Sequence, residues 1–126
     1  MSRMIRSTLP AWLIYLMIAM IPTASHAQVR GTISGYVRDA SGATVPGVAV
    51  NLTHEQTGAR RQISANEEGF YQFLALVSGT YTLEAELRGF KTYLNRNVVL
   101  TADQNLRADI QLAVGDVSEA VQVTAA

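Results

Sequence analysis

The sequence predicts an all-β fold, a single antiparallel sandwich of about seven short strands. Three observations carry that expectation. Segments between Gly31 and Leu112 alternate apolar and polar residues with the period of two that a half-buried strand requires. Glycine, proline, asparagine and aspartate cluster between these segments at regular intervals, where turns are needed. No stretch beyond the N-terminal apolar run sustains helical spacing.

The chain opens with Arg3 and Arg6, an apolar run from Ala11 to Ile21, and Pro22-Thr23-Ala24-Ser25-His26-Ala27 before the polar Gln28. That order is the order of a secretory signal peptide, and the small residues Ser25 and Ala27 place cleavage after Ala27. The run is eleven residues long, short of the ~20 that a membrane-crossing helix needs. No cysteine follows it, which excludes a lipoprotein anchor. The expected organisation is a leader over 1–27, a β-sandwich over 28–114, and a segment over 115–126 that is a linker or the start of a following domain.

Gly31–Asp39 sets Ile33, Gly35 and Val37 against Thr32, Ser34, Tyr36 and Arg38, with Gly35 leaving space on the core side. Asp39-Ala40-Ser41-Gly42 is a turn. Val45-Pro46-Gly47 leads into a second strand, where Val48, Val50 and Leu52 alternate with Ala49, Asn51 and Thr53. After Thr57-Gly58 comes a mostly polar strand, Ala59–Ala65, expected at a sheet edge, where Arg60 and Arg61 discourage pairing with other chains. The rest of the chain is expected to fold around Gly69–Leu83, in which Tyr71 and Phe73, then Tyr81 and Leu83, put aromatic side chains from two strands on one buried face. The second of these strands continues through Ala85 and Leu87 with Glu84 and Glu86 outward. Beyond Arg88-Gly89, one phase holds Phe90, Thr92, Leu94, Val98 and Leu100, and the other holds Lys91, Tyr93 and Asn95. Leu106, Ala108, Ile110 and Leu112 then alternate with Asn105, Arg107, Asp109 and Gln111 in the clearest strand of the chain. A last alternation, of Val117, Val121 and Val123, begins beyond the seventh strand and reads as a docking strand or a linker.

Composition excludes several classes of function. Two of the ten basic residues leave with the leader, so the mature part holds eight basic and ten acidic side chains, a net charge of −2. It has no basic stripe to follow a phosphate backbone, which argues against nucleic acid as a partner. Without cysteine there is no thiol nucleophile, thiolate metal site or disulfide, so stability must come from packing alone or from an attached larger structure. The 99 residues left after cleavage suffice for one small domain. His54, the one histidine beyond the leader, is expected to be solvated near a strand end and has no acid at a metal-ligand spacing. Gly-x-Ser-x-Gly does not occur. Glu84 and Glu86 lie roughly 7 Å apart on one strand face, which is expected to be a solvated outer face rather than a catalytic cleft. Asp39, Asn66, Glu67 and Glu68 do not spell a calcium loop. The expectation is a protein that is not an enzyme, with no catalytic residue, cofactor or metal. Phe70, Tyr36 and Tyr93 phase away from the main core face. The candidate interaction surface is therefore Phe70, Tyr93, Val117, Val121 and Val123.

Read in order, Gly35-Tyr36-Val37-Arg38-Asp39, Pro46-Gly47-Val48-Ala49-Val50-Asn51-Leu52, Thr57-Gly58, Gly69-Phe70-Tyr71-Gln72-Phe73, Leu76, Gly79-Thr80-Tyr81-Thr82-Leu83 and Gly89-Phe90 resemble the carboxypeptidase regulatory-like domain. The resemblance covers about Gly31 to Leu112 and implies a seven-stranded transthyretin-like (prealbumin-like) sandwich, also described as a carbohydrate-binding-like fold, with no catalytic residues to carry over. It departs from the family pattern at Val77-Ser78-Gly79, where proline usually precedes the glycine. The only lysine, Lys91, is too late for an isopeptide-forming relative. The leader, the domain directly after it and the Val117–Ala125 segment together resemble the N-terminus of an Oar-like TonB-dependent outer-membrane receptor. That likeness implies a periplasmic or outer-membrane-associated accessory module whose partner is the receptor's plug and barrel or a periplasmic protein. The alternative is a free-standing secreted carbohydrate-binding module with a glycan as its ligand.

Overall fold

The computed structural model describes residues 10–12, 22, 29–116 and 118–124. Most of the expected leader lies outside the described residues, and among those described no helix is long and apolar enough to cross a membrane. The strands are β1 (Gly31–Asp39), β2 (Ala49–His54), β3 (Arg60–Ser64), β4 (Phe70–Leu76), β5 (Gly79–Glu86), β6 (Thr92–Leu100), β7 (Asn105–Arg107), β8 (Ile110–Leu112) and β9 (Ala120–Thr124). They form two sheets. The smaller has β1 at its centre, with β4 on one side and β7 and β8 on the other; the larger runs β3-β2-β5-β6-β9. Ile33 and Val37, Val50 and Leu52, Tyr71 and Phe73, Tyr81 and Leu83, and Ile110 and Leu112 all enter the shared core, as their alternation requires. With no disulfide available, this contact holds the sheets together, each fully buried Leu, Ile or Phe contributing roughly 1.5–3 kcal/mol.

The sandwich is the one the alternation predicts, and the structure adds four particulars. Three ladders run parallel: β1 with β7, β1 with β8, and β6 with β9. The sheets are therefore mixed rather than wholly antiparallel. Tyr71 and Phe73 do not share a face with Tyr81 and Leu83, because β4 and β5 belong to opposite sheets and their aromatic residues meet across the core. Val77-Ser78 is thus a corner between sheets, fastened where the Tyr81 hydroxyl donates to the Val77 carbonyl at 2.6 Å. The polar strand β3 does lie at a sheet edge.

The third particular lies in β6. Opposite Tyr81 and Leu83, two residues apart on β5, stand Val98 and Asn95, three apart on β6. The extra residue is a bulge at Arg96-Asn97, with Asn97 in the left-handed region at φ 60°. A one-residue insertion reverses which side chains face the core. Val98 and Leu100 are buried as expected, but before the bulge Tyr93 is the buried residue, at 7% exposure, and Leu94 is turned out. Tyr93 is therefore a core residue and not part of an exposed surface.

The fourth concerns the seventh expected strand, which divides into β7 and β8. Both pair with β1 in one continuous register, interrupted only at Ala108 and Asp109. There the Asp109 carboxylate, in place of a backbone carbonyl, accepts the Tyr36 N–H at 2.9 Å. The freed Ala108 carbonyl sits against Gly35 and accepts the Tyr71 hydroxyl. Tyr71 is the cross-strand partner of Gly35 on the other side of β1. Its ring spans the space left by the missing side chain and reaches the far neighbour of β1. A Cβ at Gly35 would run into the Ala108 carbonyl, carbon and oxygen, which are backbone atoms and cannot swing aside. Burial, then the charges of Tyr93 and Asp109, push the Tyr71 phenol well above its ordinary pKa, so it is a permanent donor.

Two substitutions separate the parts of this lock. Tyr71→Phe should retain the fold and lose about 1–3 kcal/mol by leaving a buried carbonyl without a donor. Gly35→Ala should cost about 3 kcal/mol or more, because relief requires moving a strand. Urea unfolding midpoints of the two variants check both the order and the sizes.

Candidate interaction surface

The two long sides of the sandwich are finished differently. On one side the edge strands β3 and β4 are tied together: Arg61 turns its guanidinium over the Phe73 ring, 5.7 Å from the centroid, and donates from Nη1 to the Leu74 carbonyl at 2.6 Å. An inward charge and a bulge at Ala75, whose φ is 56°, blunt this edge. On the other side the larger sheet extends one strand beyond the smaller. Val121 and Val123 of β9 pair with Tyr93 and Asn95 of β6 and so face inward, yet they remain 40% and 37% exposed because nothing described covers them. The free edge of β9 lies beside this strip. Next to it, between β6 and β7, runs a shallow groove of 390 Å³ lined by Asn95, Val98, Leu106 and Arg107 among others. Asn95 Nδ2 donates to the Tyr93 hydroxyl at 3.5 Å, while its buried Oδ1 has no partner.

The approach to β9 is held by a Thr92 N–H bond to the Glu119 carbonyl at 2.8 Å and by Lys91 with Glu119 at 3.2 Å. The ion pair is exposed and contributes little. Of the five candidate residues, Val121 and Val123 therefore lie together on one uncovered strip, and Val117 falls outside the described residues. Phe70 lies on the opposite sheet's outer face, packed on Tyr36 with ring centroids 5.2 Å apart. Tyr36 is further flanked by the guanidiniums of Arg38 and Arg107 at 5.6 and 5.8 Å. Arg107 also binds Asp109, whose partial burial opposes ionisation. The Tyr36 N–H and Arg107 outweigh that opposition and hold the carboxyl below its ordinary value.

Two polar groups depart from the sequence reading. His54 is not solvated; it is 6% exposed on the core side of β2, in phase with Val50 and Leu52. Nδ1 accepts from the Thr57 N–H and lies 3.0 Å from its hydroxyl, and Nε2 lies 3.3 Å from the Ser78 carbonyl, so the proton sits on Nε2. Its ring meets Tyr81 edge-on at 4.9 Å. This histidine fastens the β2–β3 turn to the Val77-Ser78 corner and has no coordinating partner: among the described residues no three His, Cys, Asp or Glu side chains gather at a metal distance. On the outer face of the larger sheet, Glu84 and Glu86 hydrogen-bond to each other, which requires a shared proton. Asn51, directly across from Glu84, is 4% exposed, and its Oδ1 has no partner. An amide oxygen buried this way costs about 1–3 kcal/mol.

These features define a class: a small β-sandwich module whose unspent polar and apolar groups lie on sheet faces and edges. The sequence profile of the carboxypeptidase regulatory-like domain matches residues 32–113, and the chain belongs to that family. No curated protein matches it. Among solved structures it is similar to a candidate carbohydrate-binding protein from Bacteroides uniformis, at 19% identity and a TM-score of 0.56, over 67% of this chain and 41% of that one. A cohesin–X-dockerin complex from Acetivibrio cellulolyticus gives 22% identity and a TM-score of 0.52, over 68% of this chain and 58% of that one. Catechol 1,2-dioxygenase from Acinetobacter gives 11% identity and a TM-score of 0.55, over 73% of this chain and 55% of that one. Identities this low establish the fold alone, and the chain spans less than two thirds of each of these structures.

The hydrogen bond with Glu86, then burial and the Glu86 charge, raise the Glu84 carboxyl above its ordinary value, against the pull of Arg60. A carboxyl raised in the folded state supports folding fully below its unfolded pKa and loses that support as pH rises through the folded one. Glu86→Gln should therefore raise the urea midpoint at about pH 7 and change it little at about pH 4. An equal gain at both would rule out the shared proton as the cause.

Proposed function

We propose that this chain is a non-catalytic accessory module, exported by residues 1–27 and exposed to the periplasm, that works at the N-terminal side of a TonB-dependent outer-membrane receptor. One observation supports the interaction role above others: among the described residues, one side of the sandwich is sealed by Arg61, whereas the other leaves Val121, Val123 and the edge of β9 uncovered. An uncovered strip beside a free strand edge suits a partner that adds a strand and packs apolar side chains on it. Asn95 Oδ1 is an acceptor waiting at the margin of the same strip. The receptor context rests on the likeness of the leader, the domain and the Val117–Ala125 segment to the Oar-like arrangement. The partner in this reading is the plug, the barrel or a periplasmic protein bound to them.

A glycan ligand is the competing reading, and the Bacteroides uniformis likeness points toward it. Stacking a sugar needs a free aromatic face, however, and Tyr36 already has Phe70, Arg38 and Arg107 around it.

Photo-crosslinking in the native cell distinguishes these readings. A crosslinker at Val121 should capture an outer-membrane barrel protein, and one at Leu74, on the sealed side, should not. Equal capture from both positions, or fractionation of the chain with the cytoplasm, would overturn the receptor reading. Retention on a glycan array that is lost in Phe70→Ala would favour the alternative.

A further inference from the structure

On the β9 side, the larger sheet has a surplus strand where the smaller sheet, among the described residues, has an unfilled strand position. We infer that two copies of the chain associate there about a two-fold axis parallel to the strands, β9 of each copy lying beneath β9 of the other and beside its β8. The inference rests on reading the β9 strip as a contact surface, and it names what fills that strip when the chain is alone.

The free edge of the smaller sheet is a row of backbone groups. Thr32 N–H donates to the Gln104 carbonyl at 2.9 Å and Ala108 N–H to the Ser34 carbonyl at 2.8 Å, so β7 turns Leu106 toward β1 and the backbone of Asn105 and Arg107 away. Val37 N–H is committed to Gly69 on the β4 side, so Arg38 bonds toward β8 and Gln111, its register partner, faces outward. The row ends at Ala113, whose carbonyl accepts the Lys91 N–H at 2.7 Å. That bond sets the start of β6 beside the end of β8, so the two strands run in opposite directions. β9 lies parallel to the first half of β6, from Thr92 to Arg96, and therefore overhangs the level of β8. A strand added to the outer edge of β9 alone lengthens the overhang. Only one beside β8 lies beneath Val121 and Val123.

Charge and pattern select the occupant. The charges flanking β8 and the start of β9 are already matched, Arg107 with Asp109 and Lys91 with Glu119, so a charged ligand gains no ion pair there. The position suits an uncharged strand with apolar residues at alternate places, and β9, Ala120-Val121-Gln122-Val123-Thr124, is such a strand. A two-fold axis along the strands exchanges the layers and preserves strand direction. The second copy's β9 thus enters the layer of the smaller sheet antiparallel to β8, with its valines turned toward the valines above. Such a contact is reciprocal and closes at two copies. One short strand from each copy makes a small interface, so the association is weak and reversible.

Sedimentation equilibrium of the purified chain at up to about 1 mM tests this. A monomer–dimer equilibrium is expected, and Val121→Asp combined with Val123→Asp should shift it about tenfold or more toward monomer, with circular dichroism unchanged. The chain has no cysteine, so introduced ones act without background. Gln111 and Gln122 lie on the outer faces of opposite sheets, so Gln111→Cys and Gln122→Cys cannot bridge within one chain. Together they should oxidise to a covalent dimer, and neither alone should. Monomer at every concentration, or dimer undiminished by the two aspartates, would overturn the proposal. So would crosslinking through Gln122→Cys alone, the result of edge-to-edge pairing of two β9 strands. None of these outcomes touches the receptor reading, which stands or falls on capture at Val121 in the cell.

Discussion

A carbonyl lifted out of a sheet ladder into an apolar core needs a donor, and for Ala108 that donor is the Tyr71 hydroxyl. The bond is possible only because Gly35 lies between them with no side chain. Tyr71 belongs to β4 and Ala108 to the link between β7 and β8, so a single hydroxyl joins the two outer strands of the smaller sheet across its central one. Asp109 completes the exchange by taking over the Tyr36 N–H that the ladder gave up. Residues from three separated parts of the chain must therefore be in place together. This matters in a domain without disulfides, where nothing covalent sets the spacing of the strands.

Where one residue decides a strand's phase from its neighbours, the sequence could be read directly. Ile33, Val37, Tyr71, Phe73, Tyr81 and Leu83 are buried where alternation puts them. Alternation cannot report an inserted residue, so the phase of β6 was legible only after the bulge and was reversed before it. Asn97 is the one local signal there, since asparagine tolerates the left-handed region better than most residues. His54 had a signal that outranked its polarity: it continues the even-numbered phase of Val50 and Leu52. The pairing of Glu84 with Glu86 could be seen along one strand. Asn51 joins them only through the β2–β5 register, and a register between distant segments is not written in either segment alone.

The contrast between the sides of the sandwich follows from sheet width. Three strand positions in the smaller sheet face five in the larger. On the β3 side a long arginine spans the mismatch, and its charge keeps other strands away. On the β9 side the mismatch is a whole strand whose inward valines have no layer of described residues beneath them. Covering Val121 and Val123 would remove from water apolar area that folding of the described residues leaves exposed. At about 25 cal/mol per Å², that is a favourable term which only another surface can collect.

The buried polar groups sort along the same lines. His54 has a partner for each ring nitrogen and fastens a turn to a corner, so it has no capacity left for a ligand. Asn51 and Asn95 each retain an oxygen with none. A protein seldom leaves such acceptors unmet, because the cost falls on the folded state alone. Both lie on the larger sheet, one on its outer face beside two carboxylates and one at the margin of the uncovered strip. The fold is closed around Ala108 and open at these two points, and the openness is where its function is to be sought.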